Sequence, residues 1–233
     1  MNRLKFSVMV FLISLFAMSA AQIIVDAYSE HIAANKSANE QKKYLIFIEI
    51  EDKTLYLLED GKCIKEYRIA SGKSGMPSPI GSWKVVEKSD WGEGFGGRWL
   101  GLNVPWGIYG IHGTLEGGSI GSAASHGCIR MFSEDVAELY RLVPIGTDVA
   151  IVNGPFGPFG RGFSDIIPGD RGADVLAIQY RLRQLGYYTG ELDGIYEDEM
   201  KKAVHNFQRD NGLEARNTID RETWHKMGFK EFE

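Results

Sequence analysis

Apolar residues begin to alternate with polar ones at Tyr44, where Tyr44-Leu45-Ile46-Phe47-Ile48-Glu49-Ile50 forms a β-rich run. Thr54 to Leu58 and Ile64 to Ala70 continue the pattern, and Glu59-Asp60-Gly61-Lys62 between them predicts a hairpin turn. Trp83 to Glu87 and Asp148 to Val152 read as further strands, with glycine-rich connections between, notably Trp91 to Gly101. The pattern changes to a helical one from Glu134 to Val143, with Ser133 as N-cap, Glu134 and Asp135 in the first turn and Pro144 as the stop. These elements predict a mainly antiparallel β domain over residues 44–153, a sandwich or irregular barrel with a small helical addition.

Gly154-Pro155-Phe156-Gly157-Pro158-Phe159-Gly160 then punctuates the chain, so residues 154–163 read as a linker. Beyond it, Val175, Ile178, Leu182 and Leu185 share a helix face, with Gly186 placed as a C-cap. Met200, Val204 and Phe207 form a second stripe ended by Asn211-Gly212, and Asp220 caps a third, short helix carrying Trp224 and Met227. Residues 164–230 are therefore expected to form a small three-helix bundle, making the whole chain an α+β multidomain protein. At the other end, Arg3 and Lys5 precede an apolar run from Phe6 to Ala17 and small residues at Met18-Ser19-Ala20-Ala21. Residues 1–22 thus read as a signal peptide, or as an uncleaved membrane anchor extended by Ile23-Ile24-Val25, with a polar linker over 23–43. Either reading puts the remainder outside the cytoplasm, secreted to the cell wall or anchored facing outward.

Charge narrows the partners: 26 basic against 31 acidic residues offer neither nucleic acid nor an anionic membrane surface a basic face. Cys63 and Cys128 are the only cysteines, too few for a disulfide framework. Cys63, inside a strand pattern, is expected to be buried and inert.

Cys128 has different company. His112 opens a His-Gly pair, and sixteen positions later Cys128 closes Ser125-His126-Gly127-Cys128, followed by Ile129-Arg130-Met131. A free thiol near pKa ~8.5 is only slightly ionised at neutral pH, and an imidazole titrating near ~6.5 can take its proton. His112 and His126 compete for that role. His112 is favoured as base, with the Gly113 carbonyl orienting its ring as the third member of a triad, and His126 as a supporting hydrogen-bonding residue. Glycine at 127 allows close backbone approach, so N–H groups near Gly127 and Cys128 are candidate oxyanion donors. Arg130 offers a bidentate donor to a substrate carboxylate, or an ion pair with an acid of the following helix. Zinc held by His112, His126 and Cys128 is the competing chemistry, although no fourth ligand with recognisable spacing is visible.

Two resemblances sharpen these expectations. His112-Gly113 with Ser125-His126-Gly127-Cys128-Ile129-Arg130 resembles the signature of the YkuD-type L,D-transpeptidases. Ser71-Gly72-Lys73 to Met76-Pro77-Ser78-Pro79-Ile80-Gly81 is similar to that family's segment ending in Thr-Pro-x-Gly, with Ser78 in place of Thr, and Arg98 to Leu102 is similar to its stretch before the His-Gly strand. This resemblance implies a β-sandwich-like catalytic domain with Cys128 as nucleophile and His112 as base, working without metal or cofactor. The expected activity is cross-linking of peptidoglycan stem peptides through a thioester; a carboxypeptidase or wall-peptide hydrolase at the same cysteine, or a non-catalytic wall-binding protein, are the alternatives. From Gly169-Asp170-Arg171-Gly172 to Thr223-Trp224 the chain resembles the three-helix peptidoglycan-binding module, departing at Glu197 to Met200, where that family has Gly-x-x-Thr. Peptidoglycan, peptide stems and glycan alike, is the implied partner of a monomer, its binding module raising the local concentration of polymer around the site. Trp91 to Gly101 is a candidate lid.

Overall fold

A computed structural model describes residues 43–92 and 96–230. The expected signal peptide or anchor, its linker as far as residue 42, and residues 93–95 in the middle of the expected lid lie outside the described residues. Ten strands run in chain order: β1 (Tyr44–Glu49), β2 (Thr54–Glu59), β3 (Lys62–Arg68), β4 (Ser71–Gly72), β5 (Gly81–Ser89), β6 (Trp99–Leu102), β7 (Tyr109–Thr114), β8 (Ala123–Ser125), β9 (Ile129–Phe132) and β10 (Asp148–Val152). Eight of them make one sheet in the order β3-β2-β1-β10-β5-β6-β7-β9, while β4 and β8 pair separately. The first hairpin turns where predicted, on Asp60 and Gly61 with φ of 49° and 80°, the positive pair that a two-residue turn of this twist requires. β1 pairs with β10 in parallel, and β7 with β9 in parallel; the other ladders of this sheet are antiparallel.

The sheet is continuous and nearly closed, the irregular barrel of the two expected forms and not the sandwich. Ala70, just after β3 at one edge, exchanges two main-chain hydrogen bonds of 2.8 and 2.9 Å with Arg130 in β9 at the other. Alternation of side chains reveals which face of a strand is buried, and says nothing of whether the two edges meet. Ile46, Ile48, Leu55, Leu57, Ile111, Ile129 and Met131 fill the interior.

Helix α1 (Ser133–Leu142) lies against β6, β7 and β9 and buries Val136 and Leu139. It begins one residue earlier than predicted. Phe132 occupies the N-cap without a side-chain bond, and Ser133 Oγ instead donates to the Thr114 carbonyl at 3.4 Å. At its other end Lys88 Nζ donates to the carbonyls of Tyr140 (2.6 Å) and Val143 (2.8 Å). Cys63 sits on β3 as expected, yet it is exposed. Glu138 of α1 reaches Tyr67 Oη (2.9 Å) and Lys65 Nζ (2.6 Å), but a bulge between Cys63 and Lys65 (Lys65 opposite Leu57, Cys63 opposite Leu58) turns Cys63 to the other face of the strand.

Three helices follow, α2 (Ala173–Gln184), α3 (Asp198–Asp210) and α4 (Arg221–Lys226). Val175, Ile178, Leu182, Met200, Val204, Phe207, Trp224 and Met227 share one core, whereas Leu185 is exposed beyond the end of its stripe. Gly186 and Gly212 take positive φ after α2 and α3 as C-terminal glycines do, and Asp220 accepts from Thr223 N–H at 2.9 Å. Tyr188 and Tyr196 are buried in packing, their hydroxyls donating to the carbonyls of Glu191 and Asn217. Two buried glutamines hold the loops: Gln179 accepts from Gly194 N–H and donates to the Ile195 carbonyl, and Gln208 accepts from Arg216 N–H and donates to the Thr218 carbonyl. Ala173, Leu176 and Ile195 pack on the core of the sheet. Among the described residues no helix is long and apolar enough to cross a membrane.

Candidate active site

Strand register sets the site. β7 pairs His112 with Trp99 of β6 on one side and Arg130 of β9 on the other. Carried back one residue from Ile111↔Ile129, the same register sets Gly110 beside Cys128. Gly110, His112, Cys128 and Arg130 therefore project from one face of the sheet, while Ile111, Ile129 and Met131 project into the core.

His112 is buried, and its Nδ1 lies 2.6 Å from the Gly113 carbonyl oxygen. A carbonyl only accepts, so Nδ1 carries the proton and Nε2 is left with its lone pair. Burial pushes the pKa of this imidazole down; the Arg130 charge adds to that, and the Gly113 bond opposes it. Burial likewise pushes the Cys128 thiol up, against a main-chain hydrogen bond from Gly110 and the charge of Arg130. Both shifts favour the neutral forms, imidazole and thiol, over the charged pair. With those signs, the thiol proton moves to the imidazole only as the reaction begins.

The turn before Cys128 is built by Ser125. Its hydroxyl accepts from Gly127 N–H (3.0 Å) and donates to the Cys128 carbonyl (2.6 Å), so the Gly127 N–H is already engaged. Gly127 has φ of 116°, and a Cβ there would lie 2.7 Å from Tyr109 Cε1 and 3.2 Å from the Pro77 carbonyl. Only glycine meets both demands. Ser78, the residue in place of threonine, is buried with its hydroxyl accepting from Gly72 N–H at 2.9 Å, which holds the loop that carries Pro77.

His126 points elsewhere. It is exposed, with Nε2 3.4 Å from Lys73 Nζ, on the rim of a neighbouring cavity. Arg130 pairs with Glu116 at 3.3 Å, an acid of the β7–β8 connection and not of the following helix; its side chain is 21% exposed against 77% for the glutamate. Among the described residues no three His, Cys, Asp or Glu side chains gather closely enough to hold a metal ion.

Sequence reasoning missed the floor. The Trp99 indole lies over two glycines: a Cβ on Gly110 would fall 2.4 Å from its Cη2, and one on Gly101 2.9 Å from its Nε1. Trp91, from the expected lid, stacks on Trp99 with centroids 4.2 Å apart and planes 6° from parallel. Gly96 presses on Gly113, the residue that orients His112, so closely that a Cβ on either would lie under 3.0 Å from the other's backbone. The signal was the spacing of Gly101 and Gly110 on the face of His112, hidden because glycine carries no hydrophobic alternation.

Comparison with known proteins follows this division of the chain. Residues 43–151 match the YkuD family, described as an L,D-transpeptidase catalytic domain, and residues 171–227 match a family described as "Putative peptidoglycan binding domain". Proteins named "Putative L,D-transpeptidase YkuD" from Bacillus licheniformis and Bacillus subtilis are each 43% identical over 109 residues, covering 46% of this chain and 65% of their own length. A crystal structure of an Enterococcus faecium L,D-transpeptidase aligns at 26% identity and a TM-score of 0.43, over 47% of this chain and 49% of that one.

Proposed function

Because residues 43–151 belong to the YkuD family of L,D-transpeptidase catalytic domains and residues 171–227 to a peptidoglycan-binding family, we propose that this protein is an exported L,D-transpeptidase that cross-links peptidoglycan stems through a thioester on Cys128. The observation that carries the reading is the 2.6 Å contact between His112 Nδ1 and the Gly113 carbonyl, on the sheet face that also presents Cys128. With the ring proton on Nδ1, Nε2 is the ring atom that would take the proton of the thiol.

In the proposed reaction a stem peptide presents the carbonyl between the L-centre of its diamino acid and a terminal D-alanine. His112 Nε2 takes the thiol proton as Cys128 Sγ bonds to that carbon. The Cys128 N–H faces the developing oxyanion in place of the engaged Gly127 N–H. The C–N bond then breaks, the imidazolium returns its proton to the departing amine, and D-alanine leaves a thioester. A side-chain amine of a second stem then bonds to the thioester carbon, giving up a proton to His112; the C–S bond breaks, Cys128 Sγ takes that proton back, and the cross-linked peptide leaves the free thiol behind. Water in place of the amine yields a shortened stem. Arg130, beside both groups, helps hold the imidazole neutral and favours the thiolate as it forms.

Intact-mass analysis tests this. After incubation with a disaccharide-tetrapeptide, the protein is expected to carry an adduct of the stem less D-alanine, absent in Cys128→Ala, and dimers are expected to accumulate. Free tripeptide stems without dimers would make the enzyme a carboxypeptidase; no adduct and no turnover would sink the catalytic reading.

A further inference from the structure

The helical module does more than follow the sheet on a linker. Trp106, 5% exposed, meets Trp83 edge-on at 5.2 Å on the sheet side. On the helical side it lies so close to Gly194 that a Cβ there would fall 2.5 Å from the indole. With Ala173, Leu176 and Ile195 packed on the same core, the two modules share an apolar joint. A tether that merely concentrates polymer needs no such joint.

Beside this joint lies a cavity of about 720 Å³. One wall is the loop 75–80 of the sheet module; the other is 158–162, 164 and 169–174 of the linker and helical module. At its active-site end stand His126 and Tyr109, the latter pressed on Gly127, next to the nucleophile. Arg161 and Asp170 also line the cavity, engaged by Glu51 and by the Ile167 main-chain N–H, and the helical wall adds Arg171 and Asp174. Neither of the last two forms an ion pair among the described residues, and the Asp174 carboxylate receives the Val175 main-chain N–H at 2.8 Å. A guanidinium and a carboxylate, both uncommitted to a counter-charge, fit a ligand with one charge of each sign.

We infer that this cavity seats a zwitterionic wall peptide, with free amine and free carboxylate, so that the helical module is a fixed wall of the substrate cleft and Arg171 and Asp174 are its recognition pair. The inference rests on the proposed stem-peptide chemistry at Cys128. A wall and a tether differ in one respect: a tether assists only polymer, whereas a wall also acts on a small soluble stem.

The test uses the full chain with a soluble disaccharide-tetrapeptide. Arg171→Glu reverses an exposed charge, and Ser164→Trp, from an exposed position on the rim, fills the cavity. With melting unchanged, each is expected to lower kcat/KM for the soluble stem about tenfold, the worth of one charge-assisted hydrogen bond. Should Ser164→Trp fail to fold, Arg171→Glu decides alone. Two further readings assign the half-site. Slower appearance of the acyl adduct places the donor stem in the cavity; normal acylation with fewer dimers and more hydrolysis places the acceptor there. Variants that turn over soluble stems as the wild type does would overturn the inference, even if polymer binding fell. A wild type that forms no adduct would instead overturn the chemistry at Cys128, a separate and distinguishable failure.

Discussion

At the scale of single residues, the two reacting groups are displaced in opposite directions, and this sets a pH profile. Burial holds the His112 pKa below its ordinary 6.5 and the Cys128 pKa above the ordinary thiol range. Proton transfer from thiol to imidazole needs the imidazole neutral and the thiol protonated, which holds between those two values. The rate kcat/KM should therefore rise on an acid limb lying below pH 6.5, stay flat through neutrality, and change again only above pH 9. Thiolate absorbance near neutral pH should be missing from the wild-type minus Cys128→Ala difference; a full thiolate signal at pH 7 would mean a resting ion pair and reverse the assignment. The same signs apply to stability. His112 binds a proton more readily in the unfolded chain, so acidification below 6.5 should weaken the fold through this residue. Ser125 gives a second prediction at this scale. Ser125→Ala strips the acceptor from the buried Gly127 N–H and the donor from the Cys128 carbonyl. A cost of about 1–3 kcal/mol in chemical denaturation is expected, together with a fall in kcat greater than any rise in KM, because the turn that aims the nucleophile loosens. Unchanged kcat in a folded Ser125→Ala protein would show that the turn holds itself.

Among the elements, Gln179 ties α2 to the loop 193–195 through Gly194 N–H and the Ile195 carbonyl. Gln179→Leu keeps the bulk and removes both partners, so denaturant unfolding should show a loss of about 1–3 kcal/mol for the stranded main-chain groups. The start of α3 invites the opposite change. Glu197 stands at its N-cap with no side-chain bond, in the segment that departs from the related modules. Glu197→Ser should stabilise by roughly 0.5–1 kcal/mol, and a drop in stability would mean that Glu197 has a role its cap position does not reveal. Elements of this kind were readable from the chain where their own side chains define them. β1, β2, β5, β10 and α1 fall within a few residues of the pattern, as do the buried stripes of α2 and α3, since each buries a continuous apolar face. The strands that build the site were not readable by alternation. β6 and β7 contain Gly101, Gly110 and Gly113, where an indole or another backbone takes the place of a side chain, so the pattern falls silent where the chemistry lies. Cys63 misled for a related reason. Its strand was correctly placed, but a bulge between Cys63 and Lys65 turns it to the outer face, and alternation alone does not encode a bulge.

For the molecule as a whole, the joint at Trp106 decides whether two modules behave as one. Leu176 lies on α2 but packs on the core of the sheet module, outside the shared core of the helices themselves. Leu176→Asp therefore attacks the joint while leaving each module's own interior whole. Removing this side chain from apolar contact forfeits up to about 1.5–3 kcal/mol, and placing a carboxylate against the joint adds a desolvation cost. Scanning calorimetry of the wild type should show a single cooperative transition, because neither module can unfold without exposing the Trp106 contact. In Leu176→Asp the transition should split, with the small helical module melting first, since about 65 residues bury too little surface to be strongly stable alone. Turnover of soluble stems should fall in the same variant at temperatures where the helices have melted and the sheet has not. Two transitions already present in the wild type, or one transition kept by Leu176→Asp, would show that the modules are coupled through something other than this contact. The fixed wall beside Cys128 would then lose its mechanical basis.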